Sequence, residues 1–208
     1  MKFRRKSESD AQAAQEASDA AAAAAEPVFG PYDVDSLPEG GPERVDLGSL
    51  LVAPSEGREL RLQVDEATGA VQAVMLAAAD GMIEMRAFAA PRNGDLWSDV
   101  RAQIARETTQ KGGTVAEREG RFGPELVCSM PVRTPTGEAA VQPSRVIGVN
   151  GPRWFLRATL LGRPALEKEG AEEWEDAIAE VVVRRGAEAM MVGEPLPVTV
   201  PSGARRLS

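Results

Sequence analysis

The segment Asn150-Gly151-Pro152-Arg153-Trp154-Phe155-Leu156-Arg157 carries the densest chemistry in the 208-residue chain. On a strand, alternate side chains point to opposite sides. Arg153, Phe155 and Arg157 then share one side, and Trp154, Leu156 and Ala158 the other. Two guanidinium groups flanking an aromatic ring can grip a carboxylate or a phosphate. Arg145 joins them if its strand lies alongside. A plainer reading stands beside this one, in which the arginines stack on Phe155 and pair with surface carboxylates, as on many exposed sheet faces. Arg145, Arg153, Phe155 and Arg157 are the candidate partner or anion surface.

Other chemistry is largely excluded. The chain has no histidine, which removes the usual general base near neutral pH and the histidine-activated nucleophiles. With one cysteine it cannot build a Cys/His zinc site. That residue, Cys128, lies in the apolar run 126–130 without a cationic neighbour and reads as a small buried thiol rather than a nucleophile. No glycine loop precedes a helix in the pattern that cradles phosphates. Asp46, Asp65, Glu66 and Glu84 are the carboxylates available for acid-base work, and nothing in the spacing brings two of them together. No catalytic, cofactor-binding or metal-binding residue is assigned, and no cofactor is expected. A formal net charge of −8 disfavours nucleic acid and anionic membranes as partners.

The chain begins with a basic hexapeptide, Met1 to Lys6, as signal peptides do. Glu8, Asp10, Glu16 and Asp19 then occupy the place of an apolar segment, so export is not expected. Residues 1–26 contain no Leu, Ile or Val and read as a disordered, alanine-rich charged tail. No run approaches the ~18 apolar residues of a membrane-crossing candidate. A cytoplasmic location is expected.

One domain is expected over 27–200, with a flexible end at 201–208. Alternation predicts strands over 45–52, 59–64, 71–76 and 82–88, with Leu60, Leu62 and Val64 on one face of the second. Asp95 is a good N-cap for a helix over 95–111, whose stripe is Trp97, Val100, Ile104 and Thr108. Gly112-Gly113 ends it. Strands return over 114–119, 125–132, 139–149 and 153–161, and Pro143 suggests an edge position or a bulge. A second helix is expected over 166–183, with Trp174, Ile178 and Val181 inward. Residues 195–201 read as extended. The fold class is α+β: a twisted antiparallel sheet of about eight strands with two flanking amphipathic helices.

Several stretches together resemble an actinobacterial family built on a domain of unknown function. They are Gly30-Pro31-Tyr32-Asp33, Asp46-Leu47-Gly48-Ser49-Leu50, Phe88-Ala89-Ala90-Pro91 and Gly151-Pro152-Arg153-Trp154-Phe155-Leu156-Arg157. The family's pattern has an Asp before that Gly-Pro, where this chain has Asn150. The resemblance brings no activity, cofactor or catalytic residue. The order of elements is also similar to the Mog1/PsbP-type architecture, whose members are often binding or assembly proteins. The function expected is a non-enzymatic protein-interaction module with a protein partner. The alternative is a sensor or enzyme that binds a small anionic metabolite through the arginine-aromatic strand.

Overall fold

The computed structural model describes residues 30–92, 94–167 and 171–203. The tail expected over 1–26 and the last five residues lie outside them. The chain enters through three short strands: β1 (Tyr32–Asp33), β2 (Val45–Asp46) and β3 (Leu50–Val52). A meander follows, made of β4 (Glu59–Val64), β5 (Val71–Ala77) and β6 (Gly81–Ala89). Helix α1 (Leu96–Gln110) then leads into β7 (Thr114–Gly120), β8 (Gly123–Arg133), β9 (Ala139–Gly151) and β10 (Trp154–Gly162). Helices α2 (Arg163–Leu166) and α3 (Glu172–Ala179) precede β11 (Val182–Val183).

The two meanders join edge to edge. Strand β10 folds back to pair with β6, giving a seven-stranded antiparallel sheet in the order β4-β5-β6-β10-β9-β8-β7. A smaller sheet has the order β1-β11-β3-β2, with β1 and β11 parallel. The α+β antiparallel architecture is the one expected from the sequence, with eleven strands among the described residues.

Alternation decides which face each side chain serves. Val74, Leu76, Ile83, Met85, Leu156 and Leu160 point to one side of the large sheet and form the main core. Leu50, Val52 and Val183 of the small sheet close that core with Trp174 and Ile178 of α3. On the other side Trp97 of α1 packs with Leu126, Cys128, Val146 and Phe155. A Cβ at Gly148 would overlap the Trp97 ring, so glycine there lets the helix settle onto β9.

Two elements differ from the sequence reading. The strand expected over 45–52 is broken into β2 and β3. Gly48 has φ +83°, a left-handed value that glycine adopts at little cost, and the Asp46 carboxylate accepts from its N–H at 2.8 Å. The helix expected over 166–183 is shorter: α2 ends on the first residue of that range, Leu166, α3 covers Glu172–Ala179, and Val182–Val183 form a strand. Val181-Val182-Val183 is a β-branched run, and its last two residues pair with β3 and β1 instead of adding a helical turn. Pro143 pairs with Ser129 of β8, one step beyond the last residue of β9 that pairs with β10, so its missing N–H falls where that side of the strand has no ladder to join.

The start of α1 is clipped to the sheet by Asn150. Its side-chain oxygen accepts from the backbone N–H groups of Leu96 at 3.1 Å and Trp97 at 3.2 Å. Its amide donates to Asp95 Oδ1 at 2.8 Å. Asp95 caps the helix by accepting from Ser98 N at 3.0 Å. Hydrogen bonds from the Ser98 hydroxyl and N–H, then from Asn150, hold its carboxyl below the usual carboxylate range. A depressed folded pKa stabilises above the unfolded value, about 3.9, and that share is lost as pH falls through the folded pKa. The melting temperature of wild type over Asp95→Asn is therefore expected to stay constant from neutral pH down to about 5 and shrink below about 4. A difference unchanged at acid pH would assign the cap no ionic component.

Candidate functional site

Helix α1 packs over β7, β8 and β9, and its Trp97 ring reaches β10 through Phe155 at 5.9 Å between centroids. Strands β4, β5 and β6 continue the same sheet past the helix. Cross-strand register sets out the side chains they present on the α1 side. One row runs Arg61, Met75, Glu84, Thr159. The row on one flank contains Met82 and Leu161, and the row on the other contains Arg86 and Arg157. Phe88 follows, opposite Phe155 on one side and bridged to Pro195 on the other. From Met75 to Phe88 the inward-lying members of this face are half-buried, while Glu59, Arg61 and Gln63 of the edge strand are exposed.

The charged centre of the face is unusual. Arg86 and Arg157 stand directly opposite each other on adjacent strands, a placement that costs stability for like charges. They share one carboxylate, Glu84, at 3.7 Å and 3.8 Å, beyond hydrogen-bond length. Arg86 donates to the Gln72 carbonyl. Arg157 lies over the Phe88 ring at 5.6 Å from its centroid and makes no hydrogen bond among the described residues. Its side chain is 24% exposed. Burial lowers its pKa, the Glu84 charge opposes this, and Arg86 adds to the lowering.

The four residues singled out from the sequence do not form one surface. Phe155 is 1% exposed, stacked between Phe88 and Trp97; its strand has core on both sides. Arg145 pairs in register with Leu160 and so projects from the opposite side of the sheet to Arg157. It is 2% exposed. Its Nε donates to Glu125 at 2.7 Å and its Nη2 to Glu175 of α3. Burial alone would favour losing the proton, but those two carboxylates outweigh it and hold the guanidinium above its ordinary pKa. Arg153 sits in the β9–β10 turn at φ 61° and donates to the Gly186 carbonyl at 2.8 Å. Only Arg157 lies on the uncovered face. Sequence reading missed Arg86, although its alternation with Met82, Glu84 and Phe88 placed it on one side of its strand.

Other chemistry is sparse. Among the described residues no group of three or more His, Cys, Asp or Glu is placed to hold a metal ion. Cys128 is buried, and desolvation pushes its thiol pKa up against a hydrogen bond with Thr108; a nucleophile needs the reverse. A depression of about 580 Å³ at the ends of β4 and β5 includes Arg58, Glu59 and Arg61 in its lining. No helix of the described residues is long and apolar enough to cross a membrane.

The motif residues lock the fold together. Trp154 Nε1 donates to Asp33 Oδ2 at 2.6 Å across the buried junction of the two sheets, and Tyr32 N donates to the Val181 carbonyl at 2.9 Å. A family model described as Protein of unknown function (DUF3710) matches residues 30–206. The chain belongs to this family. The match spans both sheets and the three α-helices of the described residues, so the family's domain contains the uncovered face entire. No curated protein matches the chain.

Proposed function

We propose that this domain is a non-enzymatic protein-interaction module, and that its contact surface is the α1-side face of β4, β5, β6 and β10. The observation that carries the proposal is the make-up of that face. It sets Met75, Met82 and Leu161 beside Arg86, Arg157 and Phe88. Protein interfaces are enriched in methionine, arginine and aromatic residues at their centres and have polar rims, and methionine adapts its shape to a partner. The exposed edge strand, with its Glu59–Arg61 pair, supplies such a rim. A small anionic metabolite is the weaker reading, because Arg145 and Arg153 are engaged elsewhere.

The proposal includes a cytoplasmic setting in an actinobacterium, motivated by the motif resemblance and the acidic, single-cysteine composition. A Mog1/PsbP-type likeness is supported by an antiparallel sheet with helices on both sides. To test the function, Met75→Glu with Met82→Glu is introduced at the chromosomal locus. In extract of the source cells the wild-type chain is expected to sediment in a complex larger than the purified protein, and the double variant to fall back to the purified size with its melting temperature kept. A wild-type chain that sediments alone, or a double variant that stays in the complex, would contradict the proposal.

A further inference from the structure

Resting on that reading, we infer that the partner presents an acidic segment, with one Asp or Glu carboxylate received by Arg157 beside Arg86 and apolar residues on either side of it. The spacing of the face sets this pattern. Arg86 is four residues along β6 from Met82, about 13 Å at strand rise, and Phe88 and Pro195 lie at the other side of the arginine pair. The face thus offers an apolar patch, a cationic centre and a second apolar patch along one strand direction.

Charge complementarity selects the occupant. Two guanidinium groups share a single carboxylate in ion-pair range that neither of them hydrogen-bonds, with the Glu107 charge of α1 also acting on Arg157, and the half-buried Arg157 has no hydrogen-bond partner among the described residues for its donors. A guanidinium offers five N–H donors in a planar fork, and a carboxylate accepts two of them side by side. An incoming carboxylate relieves the cross-strand repulsion between Arg86 and Arg157 while Phe88 supports the cation from beneath. A cationic segment would meet the same repulsion a third time. A phosphate has the charge, but the row is an open sheet face without the enclosing walls that small-ligand sites use. The flanking methionines fit a peptide chain instead.

The arrangement separates a binding role from a structural one. If Arg157 served the fold, its replacement would destabilise the protein. On this inference Arg157→Gln removes a like-charge contact, so the melting temperature holds or rises. The binding test uses the full chain, immobilised, and a phage-displayed library of short random peptides. The expected selection is enriched in Asp or Glu flanked by Leu, Met or Phe. The best synthetic peptide is expected to bind Arg157→Gln roughly tenfold or more weakly, to lose binding to Met82→Glu, and to bind Arg133→Gln, a distant exposed control, like wild type. Neutral peptides that lose Met82→Glu but ignore Arg157→Gln would overturn the acidic segment and leave the interaction face standing. Peptides indifferent to both variants, or an empty selection, would overturn the inference and count against the face as well. A fall in the melting temperature of Arg157→Gln would make the arginine a structural residue.

Discussion

Arg145→Met is expected to destabilise the protein by about 3–5 kcal/mol, the usual cost of removing one partner from a buried ion pair. Glu125 Oε1 accepts from Arg145 Nε at 2.7 Å and from Arg118 Nε at 2.6 Å, and the side chains of Glu125 and Arg145 are each 2% exposed. Without Arg145, the buried Glu125 charge leans on Arg118 alone, and Glu175 of α3 loses its tie to β9. Chemical denaturation read by fluorescence measures the loss as a lower midpoint at unchanged slope. Adding Glu125→Gln to Arg145→Met is expected to recover part of it, because the stranded charge is then gone. A cost below about 1 kcal/mol for the single variant would mean that the pair behaves like a surface salt bridge, and the buried description would be wrong.

Trp154→Ala is expected to cost about 3–5 kcal/mol, the range for deleting a buried aromatic side chain. Its indole closes the core where the two sheets meet and satisfies the Asp33 carboxylate. The loss should be felt first in β1, which is held by Asp33 and by two residues of pairing with β11. Hydrogen exchange is the matching local readout: the Tyr32 amide, bonded to Val181, is expected to lose protection more than amides of β8. Trp154→Phe keeps an aromatic ring but removes the donor, so the orphaned buried acceptor, about 1–3 kcal/mol, adds to the smaller packing loss of the reduced ring. Combined with Asp33→Ala it should show a non-additive coupling, as residues in direct contact do. Additive effects would disconnect the two motif segments.

The large sheet and α1 were legible because their signals are local. Leu60 and Leu62 alternate with Arg61, and Trp97, Val100 and Ile104 recur at helical spacing; the structure buries or half-buries these apolar residues. The small sheet was not legible. Its strands are two or three residues long, too short for a period, and β1 meets β11 across the length of the chain. Val181 continues the helical spacing of Trp174 and Ile178, so the sequence alone favoured a longer helix where pairing with β3 wins. At the candidate site, alternation separated Arg157 from Trp154 and Leu156. It could not tell a buried arginine from an exposed one. The partners of Arg145 are 20 and 30 residues away, and the Phe88 and Trp97 rings that enclose Phe155 come from distant segments.

The central claim is that the α1-side face of β4, β5, β6 and β10 is where a partner sits. A photo-crosslinking amino acid placed at Met82 of the full chain, expressed in the source cells, tests this directly. Val141, 66% exposed on β9, serves as the control position. The expected result is a discrete adduct from Met82 that is absent from Val141 and weakened by Arg157→Gln in the same chain. Equal adducts from both positions, or none from Met82, would contradict it.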